Sequence, residues 1–358
     1  MQIATGQRAS LGAALLSAAA FGTSGVFATA LIGSGWSPAA AVTARLLVAA
    51  AVLTIPVLIV LRGRFGALVR EGRSIAGYGV VAVAGAQLCY FNAVARLSVG
   101  VALLLEYLGI LLVVGWLWLR HGRRPRRLTV AGGGAAIVGL ALVLNVTGSH
   151  HLDPIGVLWG LGAAVGLAVY FVVSAQADTG LRPMVMAWAG MAVGSLCLMA
   201  IGVLGVLPIH ATTRDVQFLH HRTSWLVPVL GISLVAAVFA YAAGINAARA
   251  LGAKLAAFLG LSEVLFAVLF AWLLLGQLPG LSQLVGGAFI IGGVALVQWD
   301  EVRTDESRTA ESRPAELRTA DSRTDESRTA ELRTAEARTV AGSESGGRSL
   351  IAAEPDCG

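Results

Sequence analysis

The 358-residue chain is 56% hydrophobic, only 13% charged, and carries 44 glycines; an average soluble domain has about 25% charged residues. From Glu301 to the end it holds 9 arginines and 13 acids, which leaves 17 basic and 7 acidic residues for the first 300. So few acids cannot solvate a surface that large. A water-soluble globule, a collagen, a disulfide scaffold and a fully disordered chain are excluded, and an all-α integral membrane protein with a charged tail is predicted.

Ten apolar stretches are each long enough to cross a hydrocarbon layer about 30 Å thick at about 1.5 Å per residue. They run over 10–32, 39–61, 74–95, 99–119, 128–147, 155–175, 184–207, 226–248, 254–275 and 281–299. The runs are continuous rather than alternating and are rich in Ala, Leu and Gly, which argues for helices. The first resembles a signal peptide, but the internal repeat needs it as a membrane helix. With the N-terminus (residues 1–9) in the cytoplasm, 13 basic residues of the first 300 fall inside and three, Arg96, Arg214 and Arg222, outside. By the positive-inside rule both termini are predicted cytoplasmic, in a multi-pass protein of the plasma (cytoplasmic, inner) membrane. Trp36, Trp225 and Trp299 fall at stretch ends, as an aromatic belt would place them.

The two halves resemble each other. Pro125, Gly132-Gly133 and Ile137–Val143 recur as Pro279, Gly286-Gly287 and Ile291–Val297, at an offset of 154. Earlier, Gly12, Gly22, Phe27 and Pro38 recur as Gly156, Gly166, Phe171 and Pro183, at 144 to 145. Five helices per copy is an odd number, so the second copy enters the membrane upside down. The fold expected is ten transmembrane helices as two inverted five-helix repeats, 10–147 and 155–299, joined by an external linker at 148–154. From 300 to 358 arginines recur every five residues, Arg303 to Arg338, with almost no bulky apolar side chains. That composition predicts a disordered cytoplasmic tail.

Ionisable side chains cost about 2.5–3.5 kcal/mol each at mid-membrane, so those present point to function. Three stand clearly inside stretches: Arg45, Glu106 and Glu263. The 154 offset places Glu106 three positions from Glu263's equivalent, nearly one turn, on the same face of matching helices. Arg45 lies at Glu106's depth, and a pair between them would offset much of the burial cost of both. That leaves Glu263, with no obvious cation beside it, as the better proton carrier. Tyr90, Asn92, Tyr241 and Asn246 are candidate cavity-lining residues. Cys89 and Cys197 sit in apolar stretches, Cys357 is penultimate, and the histidines lie in loops. Neither spacing nor motif suggests a metal site, a nucleotide or other cofactor, or a nucleophile with its base, so the chain is not expected to be an enzyme.

Two five-helix units, the Pro/Gly-led fifth and tenth stretches, and SEVLFAVLFAWLLLGQ (Ser262–Gln277) resemble the EamA-type drug/metabolite transporter superfamily over residues 10–299. The ninth-stretch pattern of that family maps onto Glu263, with Val264 standing where it usually has proline and Gln277 where it usually has glutamate. TARLLVAA (Thr43–Ala50) is similar to its second-helix arginine segment, mapping that role onto Arg45. LLLEYLGILLVV resembles the fourth-helix segment of the threonine/homoserine-exporter-like branch, mapping its glutamate onto Glu106, with Ile110 in place of proline. The resemblance implies a secondary transporter, most simply an exporter of small polar metabolites such as amino acids, working by proton antiport and alternating access. Its partners would be the small-molecule substrate, protons and the lipid bilayer, with a homodimer allowed and no nucleic acid. The alternatives are an uncoupled facilitator or lipid-intermediate flippase on the same fold, and a non-transporting scaffold or sensor acting through the tail.

Overall fold

Apolar helix after apolar helix is the pattern of the computed structural model, which describes residues 2–63, 65–121, 127–143, 152–176, 182–218, 221–251, 259–297 and 299. Seven helices are long and apolar enough to cross a membrane: α1 (Ser10–Gly33), α2 (Pro38–Leu61), α3 (Gly72–Val94), α4 (Val99–Arg120), α6 (Pro154–Val172), α7 (Pro183–Val203) and α8 (Leu226–Ala247). Three more are apolar but shorter: α5 (Arg127–Val143), α9 (Ser262–Leu275) and α10 (Leu281–Val297). These residues lie within one compact unit, Met1–Asp300. The predicted tail, most of the predicted linker, and the ends of several predicted stretches lie outside the described residues.

Three helical breaks occur without a proline, one in α1 at Thr23 and two at points that correspond between the halves. α4 is interrupted at Leu108, and a helical turn before α9 is interrupted at Leu261. At each point a backbone N–H bonds three residues back instead of four, Leu111 to Leu108 (2.9 Å) and Val264 to Leu261 (3.3 Å). The two breaks are 153 positions apart, so they occupy the same place in the two copies. The same spacing relates two π-helical stretches, Tyr78–Gly85 in α3 and Gly231–Phe239 in α8. Wide turns of this kind are rare and concentrate at functional sites.

The rise in offset, from 145 at Pro38/Pro183 to 153 at Tyr78/Gly231, has a visible cause. Between α7 and α8 lies a loop with a small antiparallel hairpin, β1 (Val216–Phe218) and β2 (His221–Thr223), with Val216 opposite Thr223. The loop is laid over the α1–α2 turn. Ser37 donates its N–H to the His210 carbonyl (2.8 Å) and accepts the His210 N–H on Oγ (3.0 Å), while Trp36 Nε1 donates to the Thr212 carbonyl (2.8 Å). Trp36 and Trp225 pair at 5.8 Å and Phe27 stacks on Phe218 at 5.4 Å. At the α3–α4 end of the bundle Arg96 reaches Asp153 (2.9 Å), whose other carboxylate oxygen accepts the Ile155 N–H (2.9 Å) at the start of α6. The hydrogen bond from Arg96, then that from Ile155, holds the Asp153 carboxyl below the ordinary aspartate range.

The repeated glycines of the sequence meet across the two copies. A Cβ on Gly132 of α5 would lie 2.5 Å from the Gly293 carbonyl oxygen of α10, and one on Gly139 would lie 2.5 Å from that of Gly286. The contacts are reciprocal, and each glycine pairs with the other's repeat equivalent, so α5 and α10 run antiparallel through this crossing. Small residues permit such close helix approach where lipid supplies no hydrophobic drive. Gly286→Val should therefore lower stability by about 2–3 kcal/mol, as overpacking of a tight contact does. Gly292→Val, where nothing lies within 4 Å, should change it little; melting of both variants in detergent checks the contrast.

Candidate functional site

Arg45 is 2% exposed, the one fully buried charged side chain among the described residues. Its guanidinium is held from three other helices. One terminal nitrogen, Nη1, donates to Ser24 Oγ of α1 and to Gln87 Oε1 of α3 (3.0 Å), and Nη2 donates to the Ala236 carbonyl of α8 (2.9 Å). The Phe91 ring lies 5.9 Å from Cζ. Ala236 sits within the π-helical stretch of α8, where the wider turn alters the regular hydrogen-bond ladder. Ser24 is the first residue after the break of α1 at Thr23, which separates Gln2–Gly22 from Ser24–Gly33. In the second copy the position equivalent to Arg45 is Gly190, and there Tyr78 of α3 fills the space a Cβ would need, its ring carbons 2.6 Å away.

The expected Arg45–Glu106 ion pair does not form. Shared depth fixes a side chain's height in the bundle but not the direction it faces, and Arg45's donors are turned toward Ser24, Gln87 and Ala236. Glu106 makes no hydrogen bond or ion pair among the described residues. It is half-buried, as are Tyr107 and Glu263, although Val101–Leu105 before it and Leu108–Ile110 after it are buried. Between Val101 and Ile110, Glu106 and Tyr107 alone keep partial exposure.

Glu263 is tied to α4 through Tyr107. At the break before α9 the Val264 N–H turns to Leu261, which leaves the Gly260 carbonyl without its usual helical donor. The Tyr107 hydroxyl lies 3.2 Å from that carbonyl and 3.1 Å from Glu263 Oε2, with one proton to share between them. Glu106 stands two residues before its helix break and Glu263 two residues after its own. The two carboxylates and Arg45 lie within electrostatic range of one another, together with Tyr90 and Tyr241.

Among the candidate lining residues, Tyr90 is buried with its hydroxyl against Gly25, and Tyr241 meets Phe21 edge-on at 5.0 Å. Asn92 and Asn246 instead donate within their own helices, to the Leu88 (2.8 Å) and Ala242 (2.9 Å) carbonyls. Sequence reasoning missed Tyr107, Ser24 and Gln87. Two of them carried a signal: Tyr107 adjoins Glu106 in LLLEYLG, and Gln87 lies three residues before Tyr90, on one helical face. Gln277, where the family pattern has glutamate, accepts the Val99 N–H (3.1 Å), a first-turn donor of α4 that has no partner within its helix. Gly276, in the left-handed conformation (φ 68°), ends α9 and places Gln277 there.

A model of the EamA-like transporter family matches the chain twice, over residues 9–145 and 154–299. A solved structure described only as "Crystal structure of protein" superposes with a TM-score of 0.55 at 19% identity, covering 83% of this chain and 99% of that one, a likeness of fold alone. None of the curated proteins compared matches the chain in sequence.

Proposed function

Because the chain belongs to the EamA-like transporter family, we propose that it is a proton-coupled secondary transporter of small polar metabolites such as amino acids, working as an exporter. Its ten apolar helices form two inverted five-helix repeats in the plasma membrane, with both termini cytoplasmic. The antiparallel meeting of Gly132 with Gly293 and of Gly139 with Gly286 supports the inversion, since equivalent helices that cross antiparallel are related by an axis lying in the membrane plane. The observation that carries the functional reading is the pair of half-buried carboxylates, Glu106 and Glu263, at matching helix breaks beside one buried arginine. A carboxylate there binds either a proton or a cationic substrate group, and exchange of one for the other couples the two fluxes. Rocking of the halves about that centre would expose it to each side in turn.

The test is flux through purified protein in liposomes with an imposed pH gradient, using a panel of amino acids and cationic drugs. At least one compound should accumulate uphill and lose its accumulation when an uncoupler is added. Flux that ignores the uncoupler would instead mean a facilitator or flippase. An absence of flux, with a cellular phenotype lost on deleting Val302–Gly358, would mean a scaffold acting through the tail.

A further inference from the structure

A cavity of about 190 Å³ lies between α4, α9 and α10, on the side of α4 and α9 turned away from the carboxylates. Its walls are apolar, among them Val101, Leu104, Val264, Val268, Gly287 and Ile291, and no charged residue lines it. Polar groups gather at one end only, where α4 begins and α9 ends: Ser98, Gln277 and Gln283. Leu265, Leu278 and Leu284 also line it and are 60%, 72% and 51% exposed, so the cavity opens sideways onto the surface that faces lipid. It lies behind the helices of the candidate site. At about 100° per residue, Glu106 points about 140–160° away from Val101 and Leu104, and Glu263 about 100–140° away from Val264 and Val268.

We propose that this crevice is a binding site for one acyl chain of a bilayer phospholipid, with the headgroup at the Ser98–Gln277–Gln283 rim. Four observations select that occupant: apolar walls, a polar end at the span terminus, a lateral opening among leucines, and no charge to hold a polar solute. A hydrophilic molecule would lose its water there without replacement partners, whereas a chain fills a slot whose lining otherwise lacks dispersion contacts on one side. From Ser98 to Leu104 the helix rises about 9 Å, more than half of one hydrocarbon leaflet. The chain would thus brace the backs of α4 and α9, the two helices that carry the carboxylates. In the proposed orientation this is the outer leaflet.

The site goes beyond the transport reading, and its test needs no transport assay. The protein is reconstituted in phosphatidylethanolamine/phosphatidylglycerol vesicles with a trace of phosphatidylcholine bearing a mid-chain diazirine, then illuminated, and its labelled peptides are mapped. Adducts should concentrate on Leu104, Val264 and Val268 rather than on the lipid-exposed Ile55 and Ile59 of α2. Ala288→Phe fills the crevice from its exposed side and should cut that labelling about tenfold, the loss expected when a displaced chain gives up about two buried methylenes. Ile59→Phe should leave it unchanged, and melting of both variants shows that they are folded. Labelling spread evenly over the lipid-facing helices, or an Ala288→Phe variant labelled like the parent, would each overturn the proposal.

Discussion

Replacing Glu263 by glutamine should abolish pH-gradient-driven accumulation of substrate while leaving folding and insertion intact. Glutamine keeps the side chain's length and an oxygen that can accept from Tyr107, so the tie between α4 and α9 (3.1 Å in the parent) survives. What it removes is the capacity to gain and lose a proton. A charge moved through 100 mV is worth about 2.3 kcal/mol, or about a fiftyfold substrate gradient; the variant should lose its share of that gradient entirely. Equal exchange of labelled for unlabelled substrate moves no net proton, and it should persist unless the substrate itself needs the negative charge. Accumulation equal to the parent's in proteoliposomes would remove Glu263 from the coupling mechanism and leave Glu106 as the carrier to test.

Arg45→Leu should be the most destabilising single change at the site. Leucine fills part of the volume but leaves Gln87 Oε1, Ser24 Oγ and the Ala236 carbonyl facing a space with no donor, in a position that is 2% exposed in the parent. An abandoned buried acceptor costs about 1–3 kcal/mol, and with partial relaxation of the three helices the loss should total about 3–5 kcal/mol. Arg45→Lys keeps the charge but not the forked donors that reach α1, α3 and α8 together, so it should lie between leucine and the parent. Thermal melting in detergent, with retention of a monodisperse elution peak, ranks the three. A leucine variant as stable as the parent would mean that the guanidinium is not what holds α8 against α2.

Much of this architecture can be read without coordinates, because hydropathy and glycine spacing are one-dimensional signals. The apolar stretches, the copies near 154 apart and the glycines of α5 and α10 all belong to that class, and the observed crossing uses those glycines. The breaks at Leu108 and Leu261 do not. Both lack the proline that would announce them, and at Leu261 it is a neighbouring side chain, the Tyr107 hydroxyl, that takes up the Gly260 carbonyl the break releases. The π-helical stretches are invisible for the same reason, being a matter of ladder register rather than composition. For Arg45, sequence gave the depth and the need for partners but not the direction. The expected carboxylate was replaced by a hydroxyl, an amide and a main-chain oxygen from three helices.

The interruption of α1 at Thr23 has a structural consequence. Gly22 lies against the backbone of α9, where a Cβ would be 3.1 Å from the Glu263 carbonyl oxygen and 2.9 Å from the Ala267 nitrogen. Two residues further on, Ser24 grips the guanidinium. Three consecutive residues at the break thus join the neighbourhood of Glu263 to that of Arg45, with no side chain at Gly22 to hold α9 away. The chain from Gly22 to Ser24 therefore touches both the backbone of α9 beside Glu263 and the guanidinium that α3 and α8 also hold.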